Sequence, residues 1–391
     1  MYTYKIFNNI SQEGIDCLND NGFVVDTKNP DALIIRSQIL KNSNFTESLK
    51  CICRAGAGVN HIPIEKATQK GIVVFNTPGG NANAVKELVI CGLLLSSRGI
   101  IQGNSYAQSL KNKKSEELTN LVETNKKNFK GSELKGKTIG IIGLGAIGSL
   151  LAQSVDSMGM KIIGYDPNIS IDSAWQLPKE VEKADNLKYL LSNSDYISLH
   201  VPLVKETRDL ISKKTLKYVK NGAKLINLSR GPIVNNKDVL SALKNKTLSS
   251  FVTDFPTPEL VMRANNNSDV ILLPHLGAST KEAEINCAVM VSNSLISFLE
   301  DGNIVNSVNF PDVSLVRDTK HRLTITNLNK PNMLGQFTSL LGKANININD
   351  LSHKTFNDIG YTILNVEEPI SDLVIKQING IDGVIKANIL S

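Results

Sequence analysis

Short apolar runs separated by helix-like stretches recur through the first hundred residues. Residues 5–7, 22–25, 32–35, 51–54 and 73–75 read as strands, and 10–19, 40–49 and 63–70 as the helices between them. Strands alternating with helices predict a parallel sheet covered on both faces. A long apolar helix follows over 83–97, with Ala84, Leu88, Cys91, Leu94 and Leu95 on one side. From Lys137 the alternation starts again. Residues 138–142, 161–165, 196–200, 223–227, 250–254 and 270–273 are strand candidates, and a second long helix runs over 279–299. Two long helices bracketing one sheet suggest that the chain leaves the first domain and later returns to it, with 305–310 completing that domain.

The last seventy or so residues change pattern. Strand 323–327, helix 331–343, strands 347–355 and 361–366, helix 372–379 and strand 384–390 follow a β-α-β-β-α-β order, the split-βαβ or ferredoxin-like pattern. The expected class is therefore α/β: two doubly wound, Rossmann-like parallel-sheet domains and a small ferredoxin-like one. The expected boundaries are 1–97 with 280–316, then 98–279, then 320–391.

Composition adds exclusions. A chain of 391 residues, 41% apolar and 20% charged, is an ordinary multidomain globular sequence. No apolar run approaches the roughly 18–20 residues of a membrane span, so no membrane partner is expected. The opening Met1-Tyr-Thr-Tyr-Lys-Ile-Phe reads as a strand rather than a signal segment. Five cysteines without a CxxC pair suit a reducing cytoplasm. Cys51-Ile-Cys53 reads as core packing, and no metal is expected. The net charge is +6, and 111–137 alone carries eight Lys against four Glu. That stretch holds one aromatic, Phe129, and no Arg, so a solvated helical surface fits it better than nucleic-acid binding. Dispersed positive charge helps to draw in an anionic small molecule.

The most specific local signal is Gly143-Leu-Gly145-Ala146-Ile147-Gly148, which an apolar strand enters and an amphipathic helix leaves. The first glycine allows a tight turn, the second lets a pyrophosphate approach the backbone, and the third lets helix and strand pack closely. The helix N-terminus then offers free N–H groups to the phosphates. A second strand ends at Asp166, eighteen residues after Gly148. A carboxylate there accepts from both ribose hydroxyls of NAD and repels the 2′-phosphate of NADP, so the expected cofactor is NAD. A turn Asp ahead of Pro167 is the plainer alternative.

Other chemistry clusters at predicted carboxyl ends of strands in the same sheet, where open α/β sheets bind ligands. His275 follows 270–274; Arg230 ends 223–230 at a sharp turn; Asp254 and Glu259 close 250–259, five residues apart. His200, with Pro202, fits the adenosine side of the cofactor. An arginine can bind a substrate carboxylate, and a histidine paired with a glutamate can exchange a hydroxyl proton during hydride transfer. Taken singly each has a structural alternative: Arg230 a surface cap, Glu259 a solvated loop acid, His275 a packed turn.

These residues together resemble the D-isomer-specific 2-hydroxyacid dehydrogenases, in particular those carrying a C-terminal ACT domain, over nearly the whole chain. The carriers are Arg54-Ala-Gly-Ala57-Gly58-Val-Asn60, Asn76-Thr-Pro-Gly, Gly143 to Gly148 with Asp166, Asn227-Leu-Ser229-Arg230-Gly, Asp254 with Glu259, and Pro274-His275-Leu-Gly277-Ala-Ser-Thr280. The resemblance implies Arg230, Glu259 and His275 as the catalytic trio. It implies Asp254 at the nicotinamide carboxamide, Ser229 and Gly277 beside the cofactor, the Ala57 and Gly58 backbone at the substrate carboxylate, and Arg54 at a substrate phosphate. The implied reaction is NAD-dependent oxidation of 3-phospho-D-glycerate at the entry to serine synthesis. Reduction of glyoxylate or hydroxypyruvate is the alternative, and an NAD(H)-sensing corepressor-like scaffold is a more distant one. The implied assembly is a homodimer or homotetramer.

The chain departs from the family pattern at several points. The family's Asp-Val-Phe-Pro-x-Glu-Pro loop is written Asp254-Phe-Pro-Thr-Pro-Glu259 here, one residue shorter before Pro256 and one longer after it. Asn60 stands where Asp is common. In the ACT-like tail, Asn329-Lys-Pro-Asn332-Met-Leu matches the family's Asn-Arg-Pro-Gly-Val-Leu turn, and Asn329 and Asn347 fall on its serine-contacting asparagines. Asn327 replaces the ligand-site His, while Asn332 replaces a Gly and tolerates positive φ better than most residues. An L-serine effector is implied, with a ligand-free dimerisation module as the alternative.

Overall fold

The computed structural model describes residues 1–390, so residue 391, at the end of the expected third domain, lies outside the described residues. The chain divides into two compact units, 1–81 with 281–391 and 82–280. No helix among the described residues is long and apolar enough to cross a membrane.

In the first unit, five parallel strands run in the order Val24–Val25, Thr3–Ile6, Ala32–Ile35, Cys51–Arg54, Val73–Phe75. Ala32–Ile35 is buried throughout, as a strand covered on both faces must be. The long helix Lys281–Asp301 returns to this sheet, with Cys287, Val291, Leu295 and Leu299 in one core with Tyr4, Ile34, Cys53 and Phe75.

Two expectations change here, for residues 40–49 and for helix Ala82–Ser97. The helix expected over 40–49 is only the short 3-10 turn Asn42–Asn44. Its Asn-Ser-Asn run has poor helix propensity, and Leu40, Phe45 and Leu49 reach the core as separate anchors. Residues 305–310 fall in the first unit, where isolated antiparallel bridges, Phe75 to Ser307 and Ile304 to Val313, hold the segment. Helix Ala82–Ser97 packs with the second unit, because Val85, Val89 and Leu93 enter a core with Ile139, Leu151 and Val252.

The second unit holds seven parallel strands in the order Val270–Leu272, Leu248–Thr253, Ala223–Asn227, Tyr196–Leu199, Thr138–Ile142, Lys161–Tyr165, Glu182–Lys183. The last is a two-residue edge strand without an apolar signature. Strand order reverses between Thr138–Ile142 and Tyr196–Leu199, which opens a crevice at their carboxyl ends. Within the lysine-rich stretch, helix Ser115–Asn125 buries no residue, and Lys113 and Lys126 pair with Glu117 and Glu123.

The tail forms a four-stranded antiparallel sheet, Ile348–Phe356, Ile359–Val366, His321–Leu328, Val384–Leu390, with helices Met333–Lys343 and Asp372–Asn379 on one face. Its other face is not free. Ile359, Tyr361 and Ile363 join the core of the first unit, and Tyr361 donates to the Gly302 carbonyl at 2.8 Å. Fully buried Arg322 anchors the junction, donating to the Asp301 carbonyl (2.7 Å), the Leu315 carbonyl (2.9 Å) and Asn365 Oδ1 (2.8 Å).

Candidate active site

The glycine turn has the geometry its spacing implies. Gly143 sits at φ +92°, and a Cβ there would lie 2.5 Å from the His200 carbonyl oxygen. A Cβ at Gly148 would strike the Gly143 carbonyl oxygen. Gly145, which precedes helix Ala146–Ser157, has nothing within 4 Å of its Cβ position. Two glycines therefore serve the chain's own packing, while the middle one leaves room for a ligand to approach. Asp166 is tied to the turn: its carboxylate accepts from Leu144 N–H at 2.8 Å and Asn168 N–H at 2.9 Å.

His200 lies at the crevice, beside Gly143. Its Nε2 is 2.8 Å from Ser198 Oγ, and its Nδ1 is buried without a partner among the described residues. Burial drives its pKa down to about 4, so the ring is neutral at physiological pH. Nearby, Thr207 Oγ1 donates to the Pro202 carbonyl at 2.6 Å, and Ser229 Oγ donates to the Val201 carbonyl at 2.6 Å.

Arg230 and His275 follow the two strands that flank Leu248–Thr253, and Asp254 follows that central strand. The Arg230 turn is held by Asn227, 1% exposed, which donates to the Arg230 carbonyl at 2.9 Å and accepts from Ser229 N–H at 3.2 Å. Sequence reasoning gave Asn227 no role; its signal was a polar residue ending an otherwise apolar strand. His275 is exposed and adopts φ +52°. Its N–H donates to the Asp254 carbonyl at 3.1 Å, and its ring meets the Phe255 ring edge-on at 5.2 Å. The Asp254 side chain is 1% exposed; Oδ2 accepts from Gly277 N–H at 3.0 Å, and Oδ1 has no partner among the described residues. Burial raises the Asp254 pKa, against the pull of the Gly277 N–H, His275 and Arg230.

Glu259 does not join this group. Thr257 is the N-cap and Pro258 opens helix Pro258–Asn266, so Glu259 falls in the first helical turn. Its carboxylate accepts from its own backbone N–H and from Thr257 and faces Lys237, which lowers its pKa. Among the described residues, no hydrogen bond or ion pair links it to His275. The shifted loop spacing is the physical reason: a carboxylate at a helix start satisfies free N–H groups.

In the first unit, Arg54 ends its strand and donates through Nε to the Arg36 carbonyl at 3.2 Å. Its guanidinium lies over Gly56, φ +138°, where a Cβ would collide with it. Asn76 Nδ2 donates to the Ala57 carbonyl at 2.8 Å, and Thr77 N–H to the Gly56 carbonyl at 3.2 Å, fixing the loop that contains Ala57 and Gly58. His61 keeps a buried Nε2 without a partner among the described residues, and burial with the Arg54 charge lowers its pKa.

In the tail, Asn332 adopts φ +64°, the conformation that a glycine-replacing turn residue requires. Asn329 and Asn347 lie at opposite ends of the four-stranded sheet. Asn329 N–H donates to the Asp358 carbonyl, whereas the Asn347 carbonyl accepts from Glu367 N–H. One copy of the chain does not bring them together. Asn327 is buried, with Oδ1 unpartnered among the described residues.

A nucleotide-shaped glycine turn with its acid, beside a guanidinium, an imidazole and a buried carboxyl, defines a nicotinamide-dependent oxidoreductase. Residues 92–277 match the family description "D-isomer specific 2-hydroxyacid dehydrogenase, NAD binding domain". A D-3-phosphoglycerate dehydrogenase of Dictyostelium discoideum is 31% identical over 365 residues, 91% of this chain and 84% of that protein. The enzyme of the same name from Escherichia coli K12 is 32% identical over 357 residues, 88% of this chain and 81% of that one. The crystal structure of NAD+-bound 3-phosphoglycerate dehydrogenase from Entamoeba histolytica superposes with a TM-score of 0.63 at 26% identity, over 79% of this chain and 98% of that one. The chain belongs to the D-isomer specific 2-hydroxyacid dehydrogenase family and is an NAD-dependent oxidoreductase.

Proposed function

We propose that the chain oxidises 3-phospho-D-glycerate to 3-phosphohydroxypyruvate, the first step of L-serine synthesis, in the cytoplasm. The observation that carries the reading is Arg230 and His275 flanking buried Asp254 in the NAD-binding unit, a guanidinium for a 2-hydroxy acid carboxylate beside a base for its hydroxyl. The names of relatives alike over more than 80% of their length support the substrate. Arg54 above the Gly56 turn supplies a cation for a phosphate, and Ala57 and Gly58 supply backbone for the carboxylate.

The chemistry NAD would supply when bound is a hydride acceptor, the nicotinamide, for C2 of the substrate. The residues fit it: Gly145 leaves open space for a pyrophosphate, the Asp166 carboxylate beside the glycine turn suits ribose hydroxyl donors, and the Asp254 Oδ1 without a partner among the described residues suits an amide N–H donor such as the carboxamide. Arg230 binds the substrate carboxylate and polarises the adjacent C2–O bond. His275 Nε2 takes the C2 hydroxyl proton as the C2=O bond forms, and releases it to solvent from its exposed position. In the reverse direction the protonated ring returns that proton to the oxygen.

We read the tail as the seat of L-serine feedback in a homodimer or homotetramer, with Asn329 of one copy and Asn347 of another as the polar contacts. The test is NADH formation from NAD and 3-phospho-D-glycerate, repeated with D-glycerate and with added L-serine. Turnover is expected with the phosphorylated acid, and Arg230→Ala should lower kcat/KM by about 10²–10³-fold. Equal or faster turnover of the plain acid would refute the substrate assignment.

A further inference from the structure

We propose that His353 is a ligand contact of the effector site in the tail, its imidazole meeting the carboxylate of a small α-amino acid whose ammonium group donates to Asn327 Oδ1. The inference rests on the reading above that the tail binds an amino acid. In that reading Asn329 and Asn347 make the polar contacts; the edge strand of the sheet adds a further one.

Sheet register gathers these groups at one end of the tail. Asn327 on strand His321–Leu328 pairs with Gly360 on Ile359–Val366, and His353 on the edge strand Ile348–Phe356 pairs with Thr362. Successive residues of a strand alternate between faces, so Asn327, Gly360, Thr362 and His353 continue the helix-facing rows of Ile325, Leu364 and Leu351. The apolar core under the helices thus gives way to polar side chains. A Cβ on Gly360 would lie 2.9 Å from Asn327 Nδ2, 3.1 Å from Asn327 Oδ1 and 3.1 Å from His353 Cε1. One point on the strand between them is therefore within contact distance of both side chains, and glycine is what lets them approach it.

Both side chains keep an atom for a ligand. Asn327 is 1% exposed, and its amide orientation is set because Nδ2 donates to the Leu328 carbonyl at 2.7 Å. Oδ1 is left buried without a donor among the described residues, and an acceptor so placed calls for an N–H group. His353 is half-buried. Its Nδ1 lies 2.9 Å from the hydroxyl oxygen of fully buried Thr362, and its Nε2 has no partner among the described residues. With Thr362 donating to Nδ1, Nε2 carries the hydrogen that a carboxylate accepts. An acceptor and a donor this close suit a molecule with an ammonium and a carboxylate on one carbon, the defining pair of an α-amino acid. A phosphate or a dicarboxylate would leave Asn327 Oδ1 unpaired.

The test is isothermal titration of the full-length protein with L-serine and with its methyl ester, which keeps the ammonium group and lacks the carboxylate. In the native protein the ester should bind at least about tenfold more weakly, the worth of one charge-assisted hydrogen bond. His353→Leu should weaken L-serine by about ten- to a hundredfold and the ester hardly at all. Equal weakening of acid and ester, or weakening of neither, overturns the proposal. Should that variant fold poorly, His353→Thr decides on the same two affinities, since its side chain favours strands and is too short to reach the ligand. If L-serine itself does not bind, the other common α-amino acids and their methyl esters are titrated in its place. Binding of one, weakened in His353→Leu while its ester is not, upholds the contact and sinks the serine assignment; binding of none overturns both. Failure of 3-phospho-D-glycerate to react would sink the substrate reading and leave this titration intact.

Discussion

Adding one methyl group at either of two glycines separates packing from ligand binding in the nucleotide turn. At Gly148 the new Cβ meets the Gly143 carbonyl oxygen, a backbone atom that no rotamer change can move aside. Overpacking of that kind costs about 1–3 kcal/mol or more, and the gain of about 1 kcal/mol from Ala over Gly inside a helix does not cancel it. Gly145→Ala is different. Its φ of −73° suits any residue and its Cβ faces open space, so the fold survives with about 0.5–1 kcal/mol lost at the N-cap. The methyl then occupies the space a pyrophosphate needs. Losing one or two charge-assisted hydrogen bonds costs about 3 kcal/mol, roughly a hundredfold in NAD affinity.

Thermal denaturation, each variant against its own cofactor-free baseline, reads both effects. At a concentration of about one hundred times the wild-type Kd, NAD stabilises the native protein by about 2.7 kcal/mol. After hundredfold weakening only about 0.4 kcal/mol remains. For a unit of this size 1 kcal/mol moves Tm by about 2–4 °C, so a shift of about 5–10 °C should shrink to about 1 °C in Gly145→Ala. Gly148→Ala should already melt lower without NAD. A full NAD-induced shift in Gly145→Ala, or an unchanged baseline in Gly148→Ala, would refute the assignment of open and closed faces to this turn.

Two further outcomes follow from the same unit. Asp166→Ala should weaken NAD by about ten- to a hundredfold, through loss of charged hydrogen bonds to the ribose, and narrow the preference over NADP; isothermal titration with both nucleotides checks it. His200 binds its proton less readily folded than unfolded, so its contribution to stability is complete above about pH 6.5 and is lost as pH falls toward 4, by roughly 3 kcal/mol in total. His200→Asn should flatten that part of the pH dependence in urea unfolding between pH 7 and 4. An identical slope in the variant would contradict a buried neutral ring.

Much of the fold was legible because its signals are local. The alternation of apolar runs and helices, the glycine turn with its acid, and the β-α-β-β-α-β tail each depend on residues within about thirty positions, where period and turn chemistry speak directly. Positions of Arg230, His275 and Asp254 followed from the same logic, since parallel strands place their carboxyl ends at one edge. Segments without strong periodicity misled: 40–49 carries apolar residues at near-helical spacing on a polar Asn-Ser-Asn frame, and its anchors are satisfied without a helix.

Pattern along the chain thus determined which elements exist and which chemistry stands at their ends. Three things belonged to tertiary structure alone. Helix Ala82–Ser97 is apolar nearly all round, and only the available partner cores assign it to the second unit. The outer face of the tail sheet is buried through Tyr361, Ile363 and Arg322, which join residues far away in the chain, among them Tyr4, Cys51 and Gly302. And the partners of Glu259 were set by the start of helix Pro258–Asn266, where its carboxylate accepts from its own N–H and from Thr257. A side chain's partner depends on direction as well as spacing, and direction is set by long-range packing and by competition for hydrogen bonds at element ends.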